Sequence, residues 1–226
     1  MPHSTPTLDV RTMPAARRHA EIFSTFDTLA VSGGFVLLSD HDPKPLLYQF
    51  QAKCPGQFDW YVMEAGPDRF RVEIRRRASN TSRTVTEYLE DDHRRLDALL
   101  ADVARLADSG THAEALIRFR EFACGLNRHI DAEEQVLFPA FERMTGAVSG
   151  PTVVMRAEHL EIRRCIERAA TVLEEQDATL AMDAVEALTE VLSLHNMKEE
   201  QILYPMTDRA VSALERENLV RQMQAF

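Results

Sequence analysis

From residue 84 onward, apolar side chains recur every three or four positions over four long stretches. Leu89, Leu96, Leu100 and Val103 mark the first, and Phe119, Phe122, Leu126, Val136 and Ala140 the second. Met155, Ile162, Ile166 and Ala169 mark the third, and Leu188, Leu192, Ile202 and Met206 the fourth. This spacing predicts amphipathic helices over about 84–108, 111–145, 151–175 and 178–207. Thr84 with Glu87 and Thr111 with Glu114 fit the pattern in which an N-cap hydroxyl and a glutamate three residues on satisfy each other's backbone N–H groups. Pro151 suits a first helical turn, and Asp177 can start the last helix. Ser109-Gly110, Thr145-Gly146 and Glu175-Gln176-Asp177 leave only short connections, which favour an all-α, up-down four-helix bundle. Ala213 to Met223 can add a helix that caps one end.

Before residue 84 the period changes. Leu8-Asp9-Val10-Arg11 reads as a short strand, Pro14 to about Ser32 as a helix stopped by Gly33-Gly34, and Phe35-Val36-Leu37-Leu38 as a buried strand. A second helix carries Leu46, Leu47, Phe50 and Cys54. Phe58–Glu64 and Phe70–Ile74 then alternate like two strands around Gly66-Pro67-Asp68. The order β-α-β-α-β-β predicts a small α+β sandwich over residues 1–78, and polar Ser79-Asn80-Thr81-Ser82 a linker over 79–83 before the bundle of 84–226.

Charge follows the same division. The chain carries a formal −10, but residues 1–83 hold 11 Lys and Arg against 9 Asp and Glu, whereas 84–226 hold 15 against 27. An acidic bundle argues against nucleic-acid or anionic-membrane binding. Arg75-Arg76-Arg77 reads as a solvated strand end and interdomain tether. Cys54, Cys124 and Cys165 are odd in number and widely spaced, so neither a disulfide framework nor a cysteine-based zinc site is expected. No stretch of about 20 apolar residues occurs, and Met1-Pro2-His3-Ser4-Thr5-Pro6 lacks the apolar core of a signal peptide. A soluble, cytoplasmic protein is expected.

The four apolar stripes are interrupted by polar groups at inward positions: His93, His129 with Glu133, His159, and His195 with Glu199. An eleven-residue string, H-x-x-x-E-E-Q-[VI]-L-[FY]-P, occurs at His129–Pro139 and again at His195–Pro205. A lone histidine precedes each copy by 36 positions, so the halves are offset by 66 residues. One H-x-x-x-E on a helix is weak evidence, because residues four apart share a face for many reasons. The doubled string on the buried stripe is far stronger. Burying two unpaired carboxylates costs several kcal/mol each, and four imidazoles with two carboxylates in register are what a two-metal site needs. Asp92, Glu134, Glu158 and Glu200 adjoin these residues and could hold an imidazole N–H, although neighbours on a helix point in different directions. Phe138 and Tyr204 are expected to wall the site, with packing the main role of Tyr204. His112, at a helix start, is expected to be exposed, and Cys124 and Cys165 to be packing residues.

Over residues 84–207 this pattern resembles the hemerythrin-like HHE family. The resemblance implies a non-haem di-iron centre: His93, His129, His159 and His195 as terminal ligands, Glu133 and Glu199 as bridges, with an oxo or hydroxo bridge. Imidazole and carboxylate donors without thiolates suit iron. Of about twelve coordination positions on two six-coordinate irons, the six side chains and a bridge would fill about ten, leaving one open per iron for a small diatomic ligand, NO or O2. The oxygen-carrying hemerythrins have a further histidine where this chain has Arg163. That departure makes the site similar to those of the iron-centre-repair proteins and the accessory proteins of nitric oxide respiration, and favours NO buffering or detoxification, or protection of iron centres in nitrosative stress. A paired-cysteine motif of the repair type is absent. The alternatives are a module sensing O2, NO, redox state or iron, or a di-iron oxidase or peroxidase.

Leu8-Asp9-Val10-Arg11, Arg18-His19 and Ser39-Asp40-His41-Asp42-Pro43-Lys44-Pro45-Leu46 resemble the DUF2249 domain over about residues 7–77. This resemblance implies the fold of the small sulfur carriers of the TusA/SirA type. Those carriers use a cysteine near the end of the first strand, and none lies there in this chain, so sulfur transfer is not expected. His41 reads as a turn-and-cap element, His19 and Cys54 as packing or capping residues, and a protein partner for this domain is an expectation.

Overall fold

A computed structural model describes residues 5–77, 83–147, 149–175 and 177–226. They form two compact units that part between residues 77 and 83. Residues 79–82 of the linker expected over 79–83 lie outside the described residues.

The first unit runs β1 (Thr7–Asp9), α1 (Ala15–Asp27), β2 (Gly34–Ser39), α2 (Lys44–Lys53), β3 (Phe58–Ala65) and β4 (Phe70–Arg76). Its sheet has the order β1-β2-β4-β3, parallel between β1 and β2 and antiparallel elsewhere. Ile22 and Phe26 of α1 and Leu46, Leu47 and Phe50 of α2 pack with Phe35, Leu37, Phe58, Trp60, Val72 and Ile74 of the strands. Helix α1 stops at Asp27, short of the expected Ser32. Thr28 turns its hydroxyl onto the Thr25 carbonyl, and Ser32, with φ 64°, reverses the chain towards β2. Gly34 is required where β2 meets β4, since a Cβ there would lie 2.9 Å from the Ile74 carbonyl oxygen. Asp42, not His41, accepts from the Lys44 N–H at the start of α2, at 3.0 Å. His41 sits exposed beside Asp40, which Arg18 also grips. Of the three arginines at the strand end, Arg75 is exposed as expected, and Arg76 and Arg77 are partly buried. Arg75 pairs with Glu73 at 2.9 Å, and Arg76 donates to the carbonyls of Phe26 and Asp27. Arg77 lies 3.8 Å from Asp59 and is largely buried.

The second unit contains α3 (Val85–Asp108), α4 (His112–Ala132), α5 (Phe138–Thr145), α6 (Pro151–Glu174), α7 (Ala178–Lys198), α8 (Tyr204–Ala210) and α9 (Ala213–Met223). Helix α3 packs on α4 and α7, and α6 does the same from the other side, closing a four-helix bundle. Thr84 and Glu87 form the expected reciprocal cap, and the Asp177 carboxylate accepts from Thr179 and Leu180. The Thr111 cap does not form. Its hydroxyl is taken by the Leu106 carbonyl at the end of the preceding helix.

Two apolar layers fill the bundle. One contains Leu96, Leu100, Phe119, Phe122, Leu126, Ile162, Ile166, Leu188 and Leu192. The other contains Leu89, Phe138, Phe141, Met155, Leu203 and Tyr204, closed off by Leu219, Val220 and Met223 of α9. His93, His129, His159 and His195 fall in sequence between residues of the two layers, so the polar groups occupy a slab with a greasy cover on either side.

Asp208 ties the start of α3 to the end of α8. Its carboxylate accepts from the backbone N–H of Val85 at 2.9 Å and of Thr86 at 3.0 Å, and from the Thr86 hydroxyl at 2.7 Å. A carboxylate there satisfies orphan donors and complements the helix dipole. Asp208→Ala is expected to lower stability by about 1–2 kcal/mol, read as a reduced urea midpoint at unchanged slope. An unchanged midpoint would show that Thr84 alone suffices.

Candidate metal centre

The repeated string explains a local break in two helices. Pro139 and Pro205 have no N–H and their rings crowd the carbonyl four residues back, so a regular α-helix cannot run through them undisturbed. Each helix responds with a π-turn, at Glu133–Leu137 and Glu199–Leu203, in which Phe138 N–H reaches the Glu133 carbonyl and Tyr204 N–H the Glu199 carbonyl. One extra residue per turn rotates everything beyond by about 100°. Ile202 and Met206, expected to face inward, are therefore exposed, and Leu203, Tyr204 and Thr207 are buried instead. In the first copy the same rotation brings Leu137, Phe138 and Phe141 inside beside Val136 and Ala140.

All six expected side chains converge. Glu133, His159 and Glu199 are completely buried, and His93, His129 and His195 nearly so. Their donor atoms form two groups. Glu133, His159, His195 and Glu199 make one, and His93, His129 and Glu199 the other. Glu199 turns one oxygen to each: Oε2 lies 3.6 Å from His93 Nε2, while Oε1 lies 3.1 Å from His195 Nε2 and 3.7 Å from His159 Nε2. Glu133 Oε2 lies 3.3 Å from His159 Nε2 and 3.6 Å from His129 Nε2.

Behind each imidazole stands a carboxylate from another helix. His93 Nδ1 meets Glu200 at 2.7 Å, His129 Nδ1 meets Asp92 at 3.0 Å, His159 Nδ1 meets Glu134 at 2.9 Å and His195 Nδ1 meets Glu158 at 2.9 Å. These are the four acidic residues that adjoin the candidate ligands in sequence: Asp92 and Glu158 precede histidines, and Glu134 and Glu200 follow Glu133 and Glu199. Because neighbours on a helix point about 100° apart, each misses its own neighbour and meets a histidine across the bundle. A carboxylate holding Nδ1–H fixes the tautomer and leaves the Nε2 lone pair for the centre.

Protons show how strongly the slab attracts positive charge. Burial pulls the His159 imidazole down, but hydrogen bonds and charges of Glu133 and Glu199 outweigh it and push it up to about 10. His93 and His195 are raised against burial by the same kind of partner. Burial acts to raise Glu199, yet His159 and His195 hold it well below the usual carboxylate range. Even so, the hydrogen bonding is incomplete: Glu133 Oε2, His159 Nε2 and Glu199 Oε1 are buried without a partner of proper geometry. His93 and His129 face each other Nε2 to Nε2 at 3.1 Å, where one proton at most can lie. Two nitrogens bound at right angles to one metal at about 2.1 Å would be about 3.0 Å apart. Orphaned donors, imidazole and carboxylate chemistry and this spacing all fit a hard or borderline cation.

The family model described as the hemerythrin HHE cation binding domain matches residues 84–207, more than half of the chain. The chain belongs to the hemerythrin HHE cation-binding family. The uncharacterized conserved family DUF2249 matches residues 7–76. No curated protein and no solved structure matches the chain.

Tyr204 and His112 of this HHE bundle stand differently from expectation. Tyr204 does more than pack: its hydroxyl lies 2.7 Å from Glu133 Oε1 and 2.9 Å from Glu199 Oε2. The readable signal was Pro205, which forces the π-turn that swings Tyr204 inward. Arg163 is drawn off the centre, donating to Asp131 at 2.7 Å and to Asn127. Cys165 packs against the apolar layer of Leu96 and Phe122, as expected, and His112 is half-buried rather than exposed. No helix among the described residues is long and apolar enough to cross a membrane.

Proposed function

We propose that this chain is a non-haem di-iron protein that binds nitric oxide, and so buffers or removes it, or protects iron centres, under nitrosative stress. His93 and His129 would hold one iron and His159 and His195 the other, with Glu133 and Glu199 shared between them. The HHE family match and the two buried donor groups that share Glu199 support this assignment. Iron bound here would supply a redox-active Lewis acid with positions open to small diatomic ligands. The protein's own part is to aim the four Nε2 atoms through their Nδ1 carboxylate partners, and to keep bulk water from the slab with the two apolar layers.

One observation favours NO over oxygen carriage. The position at which the resemblance to oxygen carriers calls for another histidine holds Arg163, and its guanidinium is engaged with Asp131 and Asn127 rather than with the centre. A donor set without that histidine departs from the oxygen carriers and keeps the likeness to the proteins of nitric oxide respiration.

Anaerobic addition of NO to the reduced, iron-loaded protein is expected to give new visible absorption that saturates in proportion to chain concentration. Oxygen in place of NO is expected to oxidise the iron without reversible binding. No spectral change with NO, or an oxygen adduct that vents off under vacuum, would overturn this reading.

A further inference from the structure

Shifting the chain by 66 residues superimposes its halves, and each group at the centre finds a mate: His93 with His159, His129 with His195, Glu133 with Glu199. One pair is mismatched. Tyr204 corresponds to Phe138. Both rings follow a π-turn, both precede a proline, and both lie against equivalent imidazoles. Phe138 stacks on His159 at 5.5 Å, and Tyr204 lies 5.8 Å from His93. Only Tyr204 ends in an oxygen, and it is completely buried.

Four atoms surround that oxygen: Glu133 Oε1 at 2.7 Å, Glu199 Oε2 at 2.9 Å, His93 Nε2 at 3.3 Å and His129 Nε2 at 3.4 Å. A buried phenol that merely needs satisfying has one proton and requires one acceptor. Here two carboxylates compete for that proton, and two ring nitrogens crowd the same oxygen. Three of these neighbours, on His93, His129 and Glu199, belong to one donor group, and the fourth is on Glu133, taken above as shared by both metals. Donors at right angles on a metal with bonds of about 2.1 Å stand about 3.0 Å apart, and the four distances bracket that value. The oxygen therefore stands at the spacing of a neighbouring metal donor from two nitrogens and two carboxylate oxygens.

We propose that Tyr204 Oη is a seventh protein ligand, bound as phenolate to the metal held by His93 and His129. An oxygen–metal bond forms, the phenol proton is released to solvent as in other metal-binding steps, and no electron moves. The two metals are then inequivalent. The His93–His129 position is closed by Tyr204, and the small ligand binds on the His159–His195 side, where Phe138 supplies no oxygen. This inference rests on the di-iron reading.

The test compares oxidised, iron-loaded wild type with Tyr204→Phe. A phenolate on ferric iron gives a visible charge-transfer band that imidazole and carboxylate ligands do not. The wild type is expected to show it and Tyr204→Phe to lose it while retaining most of its iron. Bound NO per reduced chain is expected to rise about two-fold in the variant, as a second position opens. Should the variant fail to fold, resonance Raman of the wild type, excited in the band, decides through the presence or absence of phenolate ring vibrations. A wild type with about two irons but no phenolate vibrations overturns the inference and leaves the di-iron reading standing. A wild type that takes up no iron overturns both.

Discussion

Replacing Glu199 by alanine is expected to drop bound iron from about two per chain to well under one. Glu199 belongs to both donor groups and is wholly buried, with one oxygen turned towards His93 and the other towards His159 and His195. On the di-iron reading, its loss would remove a donor from each metal and the negative charge between the two cations. Glu133→Ala is expected to act in the same direction, because Glu133 faces His159 and His129. The metal-free variant is expected to lose folding stability as well, because His159 and His195 lose the buried carboxylate that holds them up as cations. The signature is a severe loss of metal, read from the metal content itself and not from the urea midpoint. Only the loaded wild type should gain stability from iron, by the linkage of binding to folding. Metal analysis of both purified variants is the measurement. A ratio that stays near two in each would show that neither carboxylate is shared.

Much of this architecture could be read from residue spacing, and what could not has definite causes. The stripes through Leu89, Leu126, Ile162 and Leu192 place the four helices because an α-helix repeats every 3.6 residues. The same rule fails beyond Glu199, where the π-turn adds a residue and exchanges exposed Ile202 and Met206 for buried Leu203 and Tyr204. Pro139 and Pro205 announce that break, but only to a reader who asks where the lost backbone bond goes. The carboxylates behind the imidazoles were visible as neighbours of the candidate ligands, yet their partners lie across the bundle. Helical spacing on one chain segment says nothing of such pairs until the helices are packed. Thr111 shows a local limit of the same kind: its capping pattern is complete in sequence, but the Leu106 carbonyl competes for the hydroxyl and wins.

Asp92 is the residue where orienting the site and holding the fold coincide. It accepts from His129 Nδ1 at 3.0 Å, and its carboxylate lies 2.7 Å from the Arg95 guanidinium and 3.3 Å from that of Arg128. Gly125 makes room for this cluster, since a Cβ there would stand 2.8 Å from Arg95 Nη2. Burial acts to raise the Asp92 carboxyl, but Arg95, Arg128 and His129 hold it well below the usual range. A depressed folded-state value means that this ion contributes its stability above the unfolded value, about 3.9, and loses it as pH falls further. Asp92→Ala leaves two largely buried arginines without their anion and is expected to cost about 3–5 kcal/mol at neutral pH. The difference from wild type should shrink below about pH 4.

Its mate Glu158 provides the control. Glu158 orients His195 in the same way, but its other partner is the half-exposed Lys198 and its own side chain is 27% exposed. Glu158→Ala is therefore expected to cost about 1 kcal/mol or less. For metal the two should behave alike, each losing roughly 10–100-fold in affinity as an imidazole is freed to turn. Urea denaturation across pH, paired with metal titration of both variants, separates the two effects. Equal destabilisation by the two substitutions would mean that the arginines around Asp92 find other anions. An Asp92 variant that bound metal as tightly as wild type would mean that His129 needs no help in facing the centre.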